Sequence, residues 1–213
     1  MILYGNSLSP FVRKVMVYAT EKGIALENVQ IARPDPQPEF LRASPLRKMP
    51  AFVDGHFSIA DSTAIIAYLE LKYPQSPMYP SDAEGRARAV WFEELADTVM
   101  ASAVNKIFFN RIVAPRIFNT PCNEDVVRDC EQKDLPVILN YLESVVPDPG
   151  QFLVGPRIGV ADISVVSMFL NYQHAKANMD ANRYRRTFAW VQSILERPSF
   201  AAIVTAETAF LAR

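Results

Sequence analysis

Two short runs of this sequence carry residue types that can act on a ligand together. Met49-Pro50 opens the apolar run Ala51-Phe52-Val53, and Asp61-Ser62 stands just ahead of Ile65, Ile66 and Leu69, which are spaced as one helix face. A cis Met49–Pro50 bond would turn the Met49 N–H and C=O away from a sheet, where both can pair with an extended peptide laid down like an added strand. The free N–H groups and positive dipole end of a helix starting at Asp61-Ser62 favour a carboxylate nearby. The two runs together suit a small acidic peptide. The same residues also have plain structural uses, since proline starts strands and Asp-Ser caps helices.

The elements that hold these runs can be read from the pattern. Ile2-Leu3-Tyr4 reads as a strand, Ser7-Leu8-Ser9 as a loop, and Pro10 as the first residue of a helix with Ser9 as its N-cap. Val12, Val15, Met16 and Ala19 form the stripe of that helix, and Lys22-Gly23 ends it. The residues 24–31 read as a second strand, parallel to the first through a right-handed crossover, and Pro34, Pro36 and Pro38 break regular structure after it. A short helix over 39–43 leads to a hairpin turned by Asp54-Gly55 and then to the helix after Asp61-Ser62. Three prolines within Tyr73–Pro80 mark a linker. The expected organisation is a domain over 1–75, a linker over 76–83 and an all-helical part over 84–213.

In the second part, 83–113 is long and apolar-periodic and should end or kink at Pro115. A helix over 123–146 contains Pro136; a very apolar helix opens at Val160-Ala161-Asp162 and two more come after it, over 184–196 and 200–211. Composition narrows the function. Half of the 213 residues are hydrophobic, 21% are charged and the net charge is −1, so there is no electrostatic footprint for nucleic acid or an anionic membrane. Export and membrane-spanning signals are missing from the pattern, which points to the cytoplasm. Cys122 and Cys130, eight apart on one expected helix, match neither a CxxC nor a zinc pattern; His56 and His174 lack a metal-ligand set and read as incidental.

Several motifs in order give the chain a resemblance to the cytosolic glutathione transferases, and in particular to a serine-type, bacterial-like member. Ser9-Pro10-Phe11 resembles the Ser/Cys-Pro-Phe turn of the serine and cysteine classes, and Lys48-Met49-Pro50 their basic-apolar-cisPro motif. Asp61-Ser62 is similar to their acidic-Ser pair, Phe152-Leu153-Val154-Gly155 with Ala161-Asp162 to the folding motif of the helical domain, and Arg197-Pro198-Ser199-Phe200 to its late helix junction. Gly159 departs from the pattern, which has Ser or Thr three residues before Asp162, so one side-chain bond of a capping box is lost at a small cost in stability. Asp61 replaces the more common Glu.

The resemblance implies an α/β thioredoxin-like N-terminal domain, an all-α C-terminal domain and a homodimer. It implies glutathione as co-substrate, joined as a thiolate to a small hydrophobic electrophile bound between the domains. A glutathione-dependent lyase or ether-cleaving enzyme, and a non-catalytic binding or scaffolding protein, are the alternatives. By resemblance Ser9 is the catalytic donor to the thiolate, with Ser7 as the alternative, and Phe11, Lys48, Met49, Pro50, Asp61 and Ser62 bind glutathione. Lys48 would face the glycyl carboxylate, Asp61 the γ-glutamyl ammonium and Ser62 its carboxylate. Met100, Val104, Phe108 and Arg111 are candidates for the electrophile pocket from their position, though an apolar helix stripe is more often core than pocket. A thiol of ordinary pKa near 8.5 must drop by about 1.5–2 units to ionise at neutral pH, or about 2–3 kcal/mol. A hydroxyl hydrogen bond to a charged acceptor supplies about 1.5–3 kcal/mol and a helix N-terminus about 0.3–1 more.

Overall fold

The computed structural model describes residues 1–31 and 36–212, so Pro34 lies outside the described residues. Strands β1 (Ile2–Tyr4), β2 (Glu27–Val29), β3 (Ala51–Asp54) and β4 (Phe57–Ala60) form one sheet in the order β2-β1-β3-β4. β2 runs parallel to β1, while β3 is antiparallel to both β1 and β4. β2 is shorter than its apolar run, because β1 offers only Ile2, Leu3 and Tyr4 to pair with Glu27, Asn28 and Val29. Helix α1 (Pro10–Glu21) makes the crossover, α2 (Pro38–Ala43) lies against β3, and α3 (Ser62–Lys72) closes this part. Gly5 lets the backbone leave β1 close to its neighbours: a Cβ there would lie 2.5 Å from Val12 Cγ2, and its φ of +146° is one that side chains rarely adopt.

The second part is helical. One helix, α4, runs over 83–117 and includes two π-helical stretches, Leu95–Met100 and Phe109–Val113. It continues two residues past Pro115 to Ile117, so the proline neither ends it at once nor stands at its last turn alone. α5 (Glu124–Val145) passes through Pro136; α6 (Val160–His174), α7 (Arg185–Leu195) and α8 (Pro198–Leu211) complete the bundle. Cys122 precedes α5 and only Cys130 sits on it, buried, so the two thiols do not share a helix as the spacing predicts.

One apolar core joins the two parts, from Leu3, Val12 and Val15 through Met100 and Val104 to Phe169 and Trp190, and a smaller cluster of Tyr4, Phe40, Ala43 and Ala51 lies under α2. α6 is buried along nearly its whole length. α1 is buried beyond its expected stripe: Arg13, Lys14, Val17 and Tyr18 are covered along with Val12, Val15 and Ala19, while Met16 is only half-buried. The reason is that α1 lies between α3 on one side and α6 and α8 on the other.

At the start of α6, Asp162 accepts from the N–H of Gly159 at 2.9 Å and of Leu153 at 2.8 Å, which ties the preceding loop to the helix. Gly159 is therefore an N-cap with only the Asp162 half of a capping box. Its lack of a side chain has a packing cause. A Cβ at Gly159 would stand 2.9 Å from the Met78 carbonyl oxygen, and that same carbonyl accepts the Val160 N–H at 3.1 Å.

Candidate functional site

Ser9 begins the site. Its backbone is the extended N-cap of α1, with φ −72° and ψ 121°, yet its hydroxyl makes no capping hydrogen bond. Asn6 shapes the loop instead: its side-chain oxygen accepts the Leu8 N–H at 2.9 Å and its carbonyl accepts the Ser9 N–H at 2.9 Å. Sequence reasoning passed over Asn6, although an Asx-type turn after Gly5 is a known signal.

Ser9 opens onto a cleft of about 640 Å³. One wall is the first part of the chain, with Asn6, Leu8, Phe11 and Met49; the other is α4, with Val104, Phe108, Phe109, Ile112 and Val113. The π-helical stretch Phe109–Val113 belongs to this second wall, and extra backbone turns of this kind are common at functional sites. Of the four α4 residues placed here by the sequence, Val104 and Phe108 line the cleft. Met100 is fully buried and its carbonyl accepts the Tyr172 hydroxyl at 2.8 Å. Arg111 reaches Glu131 at 2.7 Å and Glu124 at 3.3 Å and is not among the lining residues. Ser7 is likewise outside the lining, whereas Ser9 is part of it.

Met49 precedes Pro50 through a cis bond. Among the described residues neither the N–H nor the C=O of Met49 takes a hydrogen-bond partner, so both main-chain groups are available to a peptide laid along this edge. The turn before it is held by Ser44, fully buried, whose hydroxyl donates to the Lys48 carbonyl at 2.7 Å and accepts the Lys48 N–H at 2.9 Å. Ser44 was not legible as a site residue because its partners are main-chain groups. The Lys48 side chain is exposed and is not among the residues lining the cleft, with Arg47 at φ 55° ahead of it.

Asp61 joins the same edge, since its N–H donates to the Pro50 carbonyl at 3.2 Å. Its φ is 86°, an unusual conformation for a residue with a side chain, and such outliers gather at functional sites. One carboxylate oxygen caps α3 by accepting the Ala64 N–H at 3.0 Å, so the capping role and a ligand role compete for the same group. Ser62 is 1% exposed and its hydroxyl oxygen is buried with no hydrogen-bond partner. A buried hydroxyl left unpaired is costly and calls for a polar group beside it.

The charged residues of α1 face away from the cleft mouth into the seam between the two parts. Lys14 contacts Glu93 at 2.6 Å and Asp97 at 2.7 Å, and Thr63 and Tyr79 donate to Glu93 at 2.8 and 2.6 Å. Burial raises the Asp97 carboxyl above its ordinary value against the pull of Lys14, whereas Lys14 and the two hydroxyls hold Glu93 below its own despite burial. On the other face, Arg13 binds Glu207 with two nitrogens, and His174 Nε2 lies 2.8 Å from the same carboxylate. His174 is thus part of a buried ionic cluster and is not incidental. Burial pushes the Cys130 thiol up to about 12, which leaves it inert as a nucleophile.

Comparison with known proteins gives the same answer from two directions. The profile "Glutathione S-transferase, N-terminal domain" matches residues 3–77 and "Glutathione S-transferase, C-terminal domain" matches 112–205. Glutathione S-transferase theta-3 of Mus musculus is 27% identical over 196 residues, covering 90% of this chain and 80% of its own. Glutathione S-transferase 3 of Zea mays is 28% identical over 211 residues, covering 96% and 93%. Among solved structures, a glutathione S-transferase from Methylobacterium radiotolerans in complex with glutathione sulfonate is 27% identical, covers 95% of this chain and 93% of its own, and superposes with a TM-score of 0.77. With both halves matched, the sheet and bundle in place and a cis proline at the start of β3, the chain belongs to the cytosolic glutathione transferase family.

Proposed function

We propose that the protein adds the thiolate of glutathione to an apolar electrophile held in the cleft between the sheet domain and α4. As a member of this family it is a transferase with glutathione as co-substrate. The observation that carries the finer reading is Ser9: its hydroxyl is free of the helix cap it was placed to make, and it lines the same cleft as Met49 and the apolar face of α4. A hydroxyl donating to sulfur, with the N-terminus of α1 behind it, supplies the roughly 2–3 kcal/mol that ionises a thiol at neutral pH.

The remaining polar groups divide the tripeptide between them. Met49 offers its main-chain N–H and C=O to the cysteinyl unit, and Pro50 fixes the bend. Ser62 gives its unpaired hydroxyl to the γ-glutamyl carboxylate, Asp61 faces the ammonium and Lys48 the glycyl carboxylate. Phe11 closes the cleft beside Ser9. With an activated aryl halide the sulfur–carbon bond forms, the carbon–halogen bond breaks, and the halide leaves with the bonding pair.

The exposed Val90, Trp91 and Val99 on α4 support a homodimer, because apolar side chains of this size gain from being covered. No helix among the described residues is long and apolar enough to cross a membrane, and we place the protein in the cytoplasm. Retention on immobilised glutathione together with turnover of an activated aryl halide tests the function. Retention without turnover would leave a binding protein, and loss of both would remove glutathione from the reading.

A further inference from the structure

We infer that Asn171 is a positioning residue for the Ser9 hydroxyl, acting from the helical domain through the peptide bond between Leu8 and Ser9. Asn171 lies on α6, is fully buried, and forms part of the cleft lining. Its amide is oriented by chemistry. Arg13 Nη1 donates to the side-chain oxygen at 2.8 Å, and a guanidinium can only donate, so the nitrogen end must face the other way. That nitrogen donates to the Leu8 carbonyl at 3.0 Å.

The consequence falls on one peptide plane. The Leu8 carbonyl and the Ser9 N–H belong to the same peptide unit, and the N–H is already bonded to the Asn6 carbonyl at 2.9 Å. Both polar ends of the plane are therefore fixed, one from inside the loop and one from a residue 163 positions away. With the plane fixed, the direction of the Ser9 hydroxyl is left to a single side-chain rotation. Arg13 is itself held by Ser167 C=O at 2.6 Å and by Glu207, and Glu207 by His174, so Asn171 stands on a rigid buried support. Catalytic groups misplaced by about an ångström lose up to roughly a hundredfold in rate. Nothing in the sequence spacing links Asn171 to Ser9.

This inference rests on reading Ser9 as the donor to the thiolate. The test is a double-mutant cycle on the full-length protein, using Ser9→Ala, Asn171→Ala and the pair. Two readouts are taken: ionisation of bound glutathione, from the ultraviolet absorbance of its thiolate, and the pH profile of kcat with an activated aryl halide. We expect Asn171→Ala to raise the thiol pKa by about 0.5–1 unit and to lower kcat about 3- to 10-fold at neutral pH. The KM for glutathione stays within about twofold, and the rate recovers above the shifted pKa. In the Ser9→Ala background the Asn171 substitution should add nothing further.

An unchanged thiol pKa in Asn171→Ala, a loss of kcat uniform across pH, or full additivity in the cycle overturns the role of Asn171. If Ser9→Ala itself leaves the thiol unmoved, the reading of Ser9 falls first and by a separate result. Should Asn171→Ala fail to fold, the near-isosteric and uncharged Asn171→Leu removes the same two hydrogen bonds and is measured in its place, with the same outcomes deciding.

Discussion

Arg13 and Glu207 stand 194 residues apart in the chain and meet as a buried, two-pronged ion pair, Nε to Oε1 at 3.2 Å and Nη2 to Oε2 at 2.8 Å. One comes from the helix that carries Ser9 at its start, the other from the last helix of the bundle. The exposures are 0% and 2%, so neither charge has water to fall back on. The pair makes the seam between the two domains part of the site's framework.

Removing Arg13 leaves the buried Glu207 carboxylate without its guanidinium, with His174 as its remaining partner. Arg13→Met is expected to cost about 3–5 kcal/mol, while the double substitution Arg13→Met with Glu207→Leu should recover a large part of that loss. Urea unfolding of the three proteins measures it, and a double variant no more stable than Arg13→Met would contradict the expectation.

The same carboxylate sets a pH dependence. Burial alone would raise the Glu207 carboxyl, but the hydrogen bond to His174 and the charge of Arg13 outweigh it and hold it below the ordinary value of 4.5. A depressed acid contributes stability that is complete above the unfolded value and is lost as pH falls through the folded one. The stability gap between wild type and Glu207→Gln should thus be widest near neutral pH and shrink as the pH is taken below about 4.5. A gap that is constant over this range would show that Glu207 does not titrate as described.

Gly159 offers a sharper packing test. Family resemblance suggests that Ser or Thr there would improve the cap, yet a Cβ meets the Met78 carbonyl at 2.9 Å. Gly159→Ala and Gly159→Ser should both destabilise the fold, by about 1–3 kcal/mol, because the clash is with main chain that is itself bonded to Val160. A rise in Tm for Gly159→Ser would show that the linker yields easily at this point.

Trp91 is 55% exposed although its indole N–H is bonded to Tyr141 at 2.8 Å, and Val90 and Val99 lie exposed on the same helix. If this surface is the dimer contact, Trp91→Glu should give a monomer in sedimentation at micromolar concentration with its helical content intact. A variant that sediments like wild type would place the contact elsewhere.

Much of the frame was legible in the chain. Ser9-Pro10, the Asp54-Gly55 hairpin and Asp61 ahead of an apolar stripe each have a local cause, so the turn, strands and helices they predict appear in place. What spacing could not carry is anything settled by partners far along the chain. Arg13 and Lys14 sit at positions that an isolated amphipathic helix would leave in water, and only the arrival of α4, α6 and α8 buries them with carboxylates to match. His174 looked idle for the same reason. At the site, Met49-Pro50 and Asp61-Ser62 were readable because proline geometry and helix starts are local properties. Ser44 and Asn171 were not, because they work through main-chain carbonyls and N–H groups that leave no mark on the pattern, whereas Asn6 after Gly5 carries the mark of an Asx-type turn.

The ionisation of glutathione bound to Ser9→Ala protein tests the central claim most directly. With the hydroxyl gone, the thiol should move up toward its free value of about 8.5, and turnover at neutral pH should fall about 10- to 100-fold with binding of the tripeptide retained. A thiol that titrates in Ser9→Ala as it does in the wild type would contradict the assignment of Ser9.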